Sequence, residues 1–230
     1  MRKPERNNFS YLFGGLLLLF LLPPSLRLYF GTAVEEDLMR ASLLVGFSLF
    51  SMISVWSLYQ NRWIFYFGLA LALLDIAIAV AALFFHSFIW ELCASVSVIL
   101  FAVLSCFIAG RHVFSFRDTN ANSLIGAICV YLLLGLIWAI IYVVFMLLWP
   151  QGAFQGLAFD GKSSQFDNIL YFSFVTLTTA GYGDITPLNP LLRTVAYFEM
   201  ITGQFYMAIL VSGLVAHFIG IRIARLASTD

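Results

Sequence analysis

The chain has 230 residues, 62% of them hydrophobic and 10% charged, and its formal net charge is zero. A mean hydropathy of +0.95 lies far above the near-even apolar balance of a water-soluble domain. That excludes a soluble fold, and the neutral balance leaves no electrostatic footprint for nucleic acid.

Crossing a hydrocarbon core takes roughly 20 apolar residues per helix. Apolar runs near that length lie at residues 9–30, 41–59, 63–85, 88–110, 123–149 and 191–220. They predict an all-α membrane protein with six transmembrane helices. Arg2, Lys3, Arg6, Arg62, Arg111, Arg117, Arg222 and Arg225 fall on one side of the six spans, and Arg27, Arg40, Lys162 and Arg193 on the other. The basic excess places both termini in the cytoplasm. A competing reading takes the first run as a cleaved signal peptide ending near Gly31-Thr32-Ala33. It fits less well, since the run is long and carries Pro23, Pro24 and Arg27 before that site.

The connections at 31–40, 60–62 and 111–122 are short and polar, whereas the one at 150–190 is long and holds a further apolar stretch at 166–178. As a helix that stretch spans roughly 20 Å, too short to cross. Ser163 or Ser164 can cap its start and Asp167 suits its first turn, while the following Ala180-Gly181-Tyr182-Gly183 cannot comfortably continue it. Irregular backbone at membrane depth is tolerated only inside protein or along a watery path. A short helix that enters, turns at glycines and returns therefore implies a pore.

The turn reads Thr176-Leu177-Thr178-Thr179-Ala180-Gly181-Tyr182-Gly183-Asp184, which resembles the signature of potassium channels, and the resemblance covers about residues 123–222. It implies a selectivity filter in which Thr179, Ala180, Gly181, Tyr182 and Gly183 hold potassium ions, the metal and permeant ligand of the site. Rings of backbone carbonyls there replace the water that the ion sheds. Glycine at 181 and 183 tolerates the positive φ that aiming those carbonyls demands. Thr179 adds the innermost ring through its hydroxyl, and Ala180 stands in the place of the usual Val. One loop per chain implies a homotetramer in the lipid bilayer of the cell membrane.

Asp184, Tyr171 and Thr178 are the implied filter supports. Many members carry two tryptophans in the pore helix where this chain has Tyr171 and Phe172. Tyr171 still offers a hydroxyl toward Asp184, while Phe172 has nothing to donate to Tyr182. In the last span Gly203 matches the bending glycine of the family's inner helices. At four-residue spacing Gly203, Met207, Val211, Val215 and Ile219 form a stripe suited to line a cavity and gate, or to pack on the fifth span. Glu199, costly in lipid, is placed against the back of the pore helix. His217 is an interfacial residue or a pH sensor.

Residues 1–120 stand where voltage-gated relatives have a four-helix sensor, and Leu73-Leu74-Asp75-Ile76 is similar to the third sensor helix; residues 121–230 form the pore domain. The fourth span breaks the likeness, for residues 88–110 hold no Lys or Arg. A helix without such charges gains almost nothing from the membrane potential, so conduction is expected to be largely voltage-independent. Asp75 is a relic or a partner for Ser95 or Ser97. Cys93, Cys106 and Cys129 read as small core residues, and with the three histidines they show no metal spacing. No nucleophile-base constellation, cofactor motif or enzyme signature is present. The expected function is passive, potassium-selective conduction, with a poorly selective cation channel as the alternative.

Overall fold

Apolar runs bounded by glycine, proline and charged residues form helices because, in a low-dielectric surround, only a helix satisfies every backbone group from within its own segment. The computed structural model describes residues 9–30, 36–57, 62–84, 87–113, 121–149, 152–157 and 162–227. Seven helices lie among them: α1 (Phe9–Phe30), α2 (Glu36–Ser57), α3 (Arg62–Phe84), α4 (Phe88–Val113), α5 (Ala121–Leu148), α6 (Lys162–Leu177) and α7 (Pro190–Ala227).

Two stretches, Phe88–Arg111 in α4 and Asn122–Leu148 in α5, are long and apolar enough to cross a membrane. The apolar stretches described in α1, α2 and α3 are shorter, at Phe9–Leu22, Val45–Val55 and Phe65–Ile78. The 38 residues of α7 include polar side chains among the apolar ones. Those side chains belong to the site described below.

Helix α4 packs along α5, α3 bridges α2 and α4, and α1 lies against both α2 and α5. One apolar core, including Leu12, Leu16, Phe50, Phe101, Leu133 and Leu136, runs through these helices. The junction of α1 and α5 is also polar. The Phe9 N–H donates to Asn122 Oδ1 at 3.0 Å. Residues 114–120, around the boundary placed at 120, lie outside the described set, and the core continues across it from α4 to α5.

One small element among the described residues is not helical. Two residues, β1 (Phe154–Gln155), pair antiparallel with β2 (Thr186–Pro187), and the Leu188 N–H extends the ladder to the Ala153 carbonyl at 2.9 Å. This pair ties the chain before α6 to the chain after the glycine turn. A two-residue strand gives no alternation to read, so the sequence offers no sign of it.

Asp75 on α3 is buried, and neither carboxylate oxygen has a hydrogen-bond partner among the described residues. The hydroxyls of Ser97 and Ser51 stand close enough to act on it electrostatically, but neither reaches hydrogen-bond geometry. Ser97 donates instead to the Ala94 carbonyl at 3.0 Å, and Ser95 to the Glu91 carbonyl at 2.9 Å. Of the two partners considered, Ser97 is the neighbour and Ser95 is not.

Candidate ion-conduction site

Helix α6 ends where it does because the chain after it supplies its own cap. The Thr179 N–H donates to the Thr176 carbonyl at 2.9 Å and the Ala180 N–H to the Val175 carbonyl at 2.9 Å. These two bonds are those of a Schellman motif, whose penultimate residue is left-handed and usually glycine. Here that residue is Thr179, with φ 59°, the one non-glycine residue with positive φ among those described. For a β-branched residue this conformation is a true outlier.

The turn then continues with Gly181 at φ 55° and Gly183 at φ 78°, so positive φ recurs at every second residue from 179 to 183. The glycine positions agree with the sequence expectation. Thr179 was not anticipated as a third, because the sequence shows threonine where the cap geometry asks for glycine. In an extended strand successive residues face opposite ways. Alternating hands of backbone cancel that flip and let successive carbonyls face one way. Residues 178–184 are all exposed on the single chain.

Asp184 closes the turn. The Tyr171 hydroxyl donates to Asp184 Oδ2 at 2.8 Å, and the Ile185 N–H to Oδ1 at 3.0 Å. The direct contact sought from the sequence is therefore present. The bond from Tyr171 holds the Asp184 carboxyl below its ordinary range. The Thr178 hydroxyl turns back along α6 instead, donating to the Phe174 carbonyl at 2.7 Å. Phe172 meets Tyr142 and Phe154 edge to face, with centroids 5.1 Å away in each case. It anchors α6 and β1 to α5 and shares a buried cluster with Ile185, just after the turn.

Behind α6 lies a polar joint. Glu199 of α7 is fully buried; the Tyr142 hydroxyl of α5 meets its Oε2 at 2.6 Å and the Ser173 hydroxyl of α6 its Oε1 at 2.5 Å. Ser173 also reaches the Gly135 carbonyl of α5 at 2.7 Å. Glu199 thus does face the back of α6. Sequence reasoning missed Tyr142 and Ser173. A glutamate inside an apolar run needs donors, and hydroxyl residues in the neighbouring apolar runs were the signal that could have found them.

The face of α7 turned to the bundle carries Leu192, Ala196, Glu199, Gly203 and Tyr206, all buried. Gly203 is there because a Cβ would lie 2.0 Å from the Leu177 carbonyl oxygen. Met207, one turn on, is 44% exposed on the single chain. The side chains of Val211, Val215, His217 and Ile219 lie outside the described residues. Next to Gly203, the Gln204 Nε2 donates to the Thr179 hydroxyl at 3.0 Å, another contact the sequence did not suggest. Among the described residues, no group of His, Cys, Asp and Glu is placed to hold a metal ion through side chains.

Residues 127–219, from within α5 to within α7, match a family model described as an ion channel. This stretch is thus similar to an ion-channel domain. The chain's similarity to curated proteins is local. The chain is 44% identical over 48 residues to a two-pore potassium channel 2 of Arabidopsis thaliana, a stretch covering 21% of this chain and 11% of that protein. It is 39% identical over 57 residues to a two pore potassium channel c of Oryza sativa subsp. japonica, covering 25% and 12%. The chain thus spans only about a tenth of the length of these relatives. No solved structure matches significantly. The matches point to a channel and not to an enzyme.

Proposed function

We propose that this chain is one subunit of a homotetrameric, potassium-selective channel whose filter is residues 179–183. The observation that carries the reading is the alternation of positive φ at Thr179, Gly181 and Gly183 directly after a capped short helix. Carbonyls brought to one side of a strand can stand in for the hydration shell of a desolvated cation. Residues 178–184 are exposed on one chain, which leaves them available to face a common axis with three copies. The potassium channels named among the local relatives support the choice of ion.

In this reading α1 to α5 and α7 cross the membrane, α6 enters and returns, and both termini are cytoplasmic. Asp184 and Tyr171 brace the outer end of the filter, Thr178 seats its base on α6, and the lower part of α7 lines the inner path. Conduction is passive and largely independent of voltage, because no basic residue occurs at 88–110.

Purified protein reconstituted in liposomes, with potassium and sodium fluxes measured separately, tests the proposal. Flux of potassium well above sodium is expected. Equal fluxes turn the reading toward a poorly selective cation channel, and the absence of any cation flux overturns it. Replacing Gly181 by valine should abolish flux, since a β-branched residue resists its φ of 55°.

A further inference from the structure

The left-handed backbone of Thr179 is not self-sustaining. A non-glycine residue in that region is strained and persists only where its surroundings over-determine it. Two backbone bonds of the α6 cap fix its peptide, but they say nothing about where its hydroxyl points. Among the described residues that hydroxyl has one hydrogen-bond partner, the Gln204 amide at 3.0 Å.

Gln204 reaches it because of its neighbour. Gly203 lets α7 close against the end of α6 at a point where a Cβ would sit 2.0 Å from the Leu177 oxygen. The next side chain along α7 is thereby carried past the end of α6 to the base of the turn. A helix held farther off would leave the amide short of Thr179.

We propose that Gln204 is a positioning residue for the innermost cation site, fixing the Thr179 hydroxyl so that one of its lone pairs is free for a desolvated monovalent cation. This rests on the reading of residues 179–183 as the filter. A hydroxyl oxygen has two lone pairs and one proton. When the Gln204 N–H occupies one lone pair, the other remains for the ion, and the side chain no longer needs to be ordered when the ion arrives. Glutamine suits this place better than a charged residue, as it gives a donor near the ion path without adding charge to it.

The test is a double-mutant cycle on the whole chain, read by the apparent potassium Kd obtained from the rise in thermal stability of the purified assembly with potassium concentration, and by rubidium and sodium titrations run alongside. Ligand binding raises stability with the logarithm of one plus the ratio of free ligand concentration to Kd, so this readout gives an apparent Kd and does not need a conducting variant. Gln204→Met keeps the volume and removes the donor, while Thr179→Val keeps the shape and removes the hydroxyl. Gln204→Met should weaken potassium protection by about threefold to tenfold, the scale of one hydrogen bond, and should alter the preference among the three cations. In the Thr179→Val background the same change should have no further effect. Gln204→Asn, whose amide is one methylene short, should behave like Gln204→Met.

The proposal is overturned if Gln204→Met leaves the protection and the cation preference unchanged, if its effect is the same with Thr179→Val, or if Gln204→Asn behaves as wild type. Each of those outcomes leaves cation protection of the wild-type protein intact and so spares the filter reading. Wild-type protein protected by no cation would overturn both.

Discussion

At the scale of the residue, the contact between Tyr171 and Asp184 decides how well the outer end of the turn is held. Tyr171→Phe removes the bond and almost no volume, so assembly should persist while the conducting state shortens; unchanged single-channel kinetics would contradict this. The pH dependence follows from the direction of the Asp184 shift. A carboxyl whose pKa is lowered in the folded protein contributes stability above its ordinary value of about 3.9, and loses it as pH falls through the lowered pKa. Conducting lifetime should therefore hold from neutral pH down to about 4 and fall only below it, and in Tyr171→Phe the fall should begin at higher pH. Deeper in the same subunit Tyr142→Phe leaves the buried Glu199 short of a donor. Melting of the purified assembly should show a loss of about 1–3 kcal/mol, the usual cost of a buried polar group left without its partner.

Among the elements, α7 is defined by what it packs on. The resemblance to inner helices suggests bending at Gly203, whereas the geometry makes Gly203 the point of closest approach to α6. Gly203→Ala separates the two roles. Forcing a methyl against the Leu177 carbonyl should cost on the order of 1–3 kcal/mol of assembly stability; a shift in open probability with unchanged melting would favour bending alone. Helix α3 gives an opposite expectation. Among the described residues the buried carboxyl of Asp75 has no hydrogen-bond partner, and a buried carboxylate left so costs stability. Asp75→Asn or Asp75→Leu should thus raise the melting temperature of the assembly, and a lowered one would indicate a partner for that carboxylate.

For the molecule as a whole, the proposed channel is expected to respond little to the membrane potential, because its fourth span lacks basic residues. Each elementary charge moved across the membrane is worth about 2.3 kcal/mol per 100 mV, and residues 88–110 offer no basic charge to move. Conductance of purified channels, recorded without magnesium or polyamines, should change little with voltage; a steep rise over the physiological range would show that another segment carries gating charge. Mass measurement of the detergent-solubilised protein should give four subunits, and a stable dimer would remove the fourfold axis on which the filter reading depends.

The sequence by itself determined the elements that local chemistry dictates. Apolar runs marked out the long helices to within seven residues at each end, because helix formation in an apolar surround is a property of the segment. The short run at 166–178 followed by glycines marked the turn, and a hydroxyl in place of tryptophan at Tyr171 was enough to anticipate its bond to Asp184. Only the tertiary structure decided the rest. That Glu199 is met by Tyr142 and Ser173, that β1 reaches across to β2, and that Gln204 touches Thr179 all depend on how α5, α6 and α7 lie against one another. These partners stand between 25 and 57 positions apart in the chain, with no periodicity linking them. Thr179 shows the same division within one residue. Its letter promised a hydroxyl, but its left-handed backbone is imposed by the cap of α6, against the preference of a β-branched side chain.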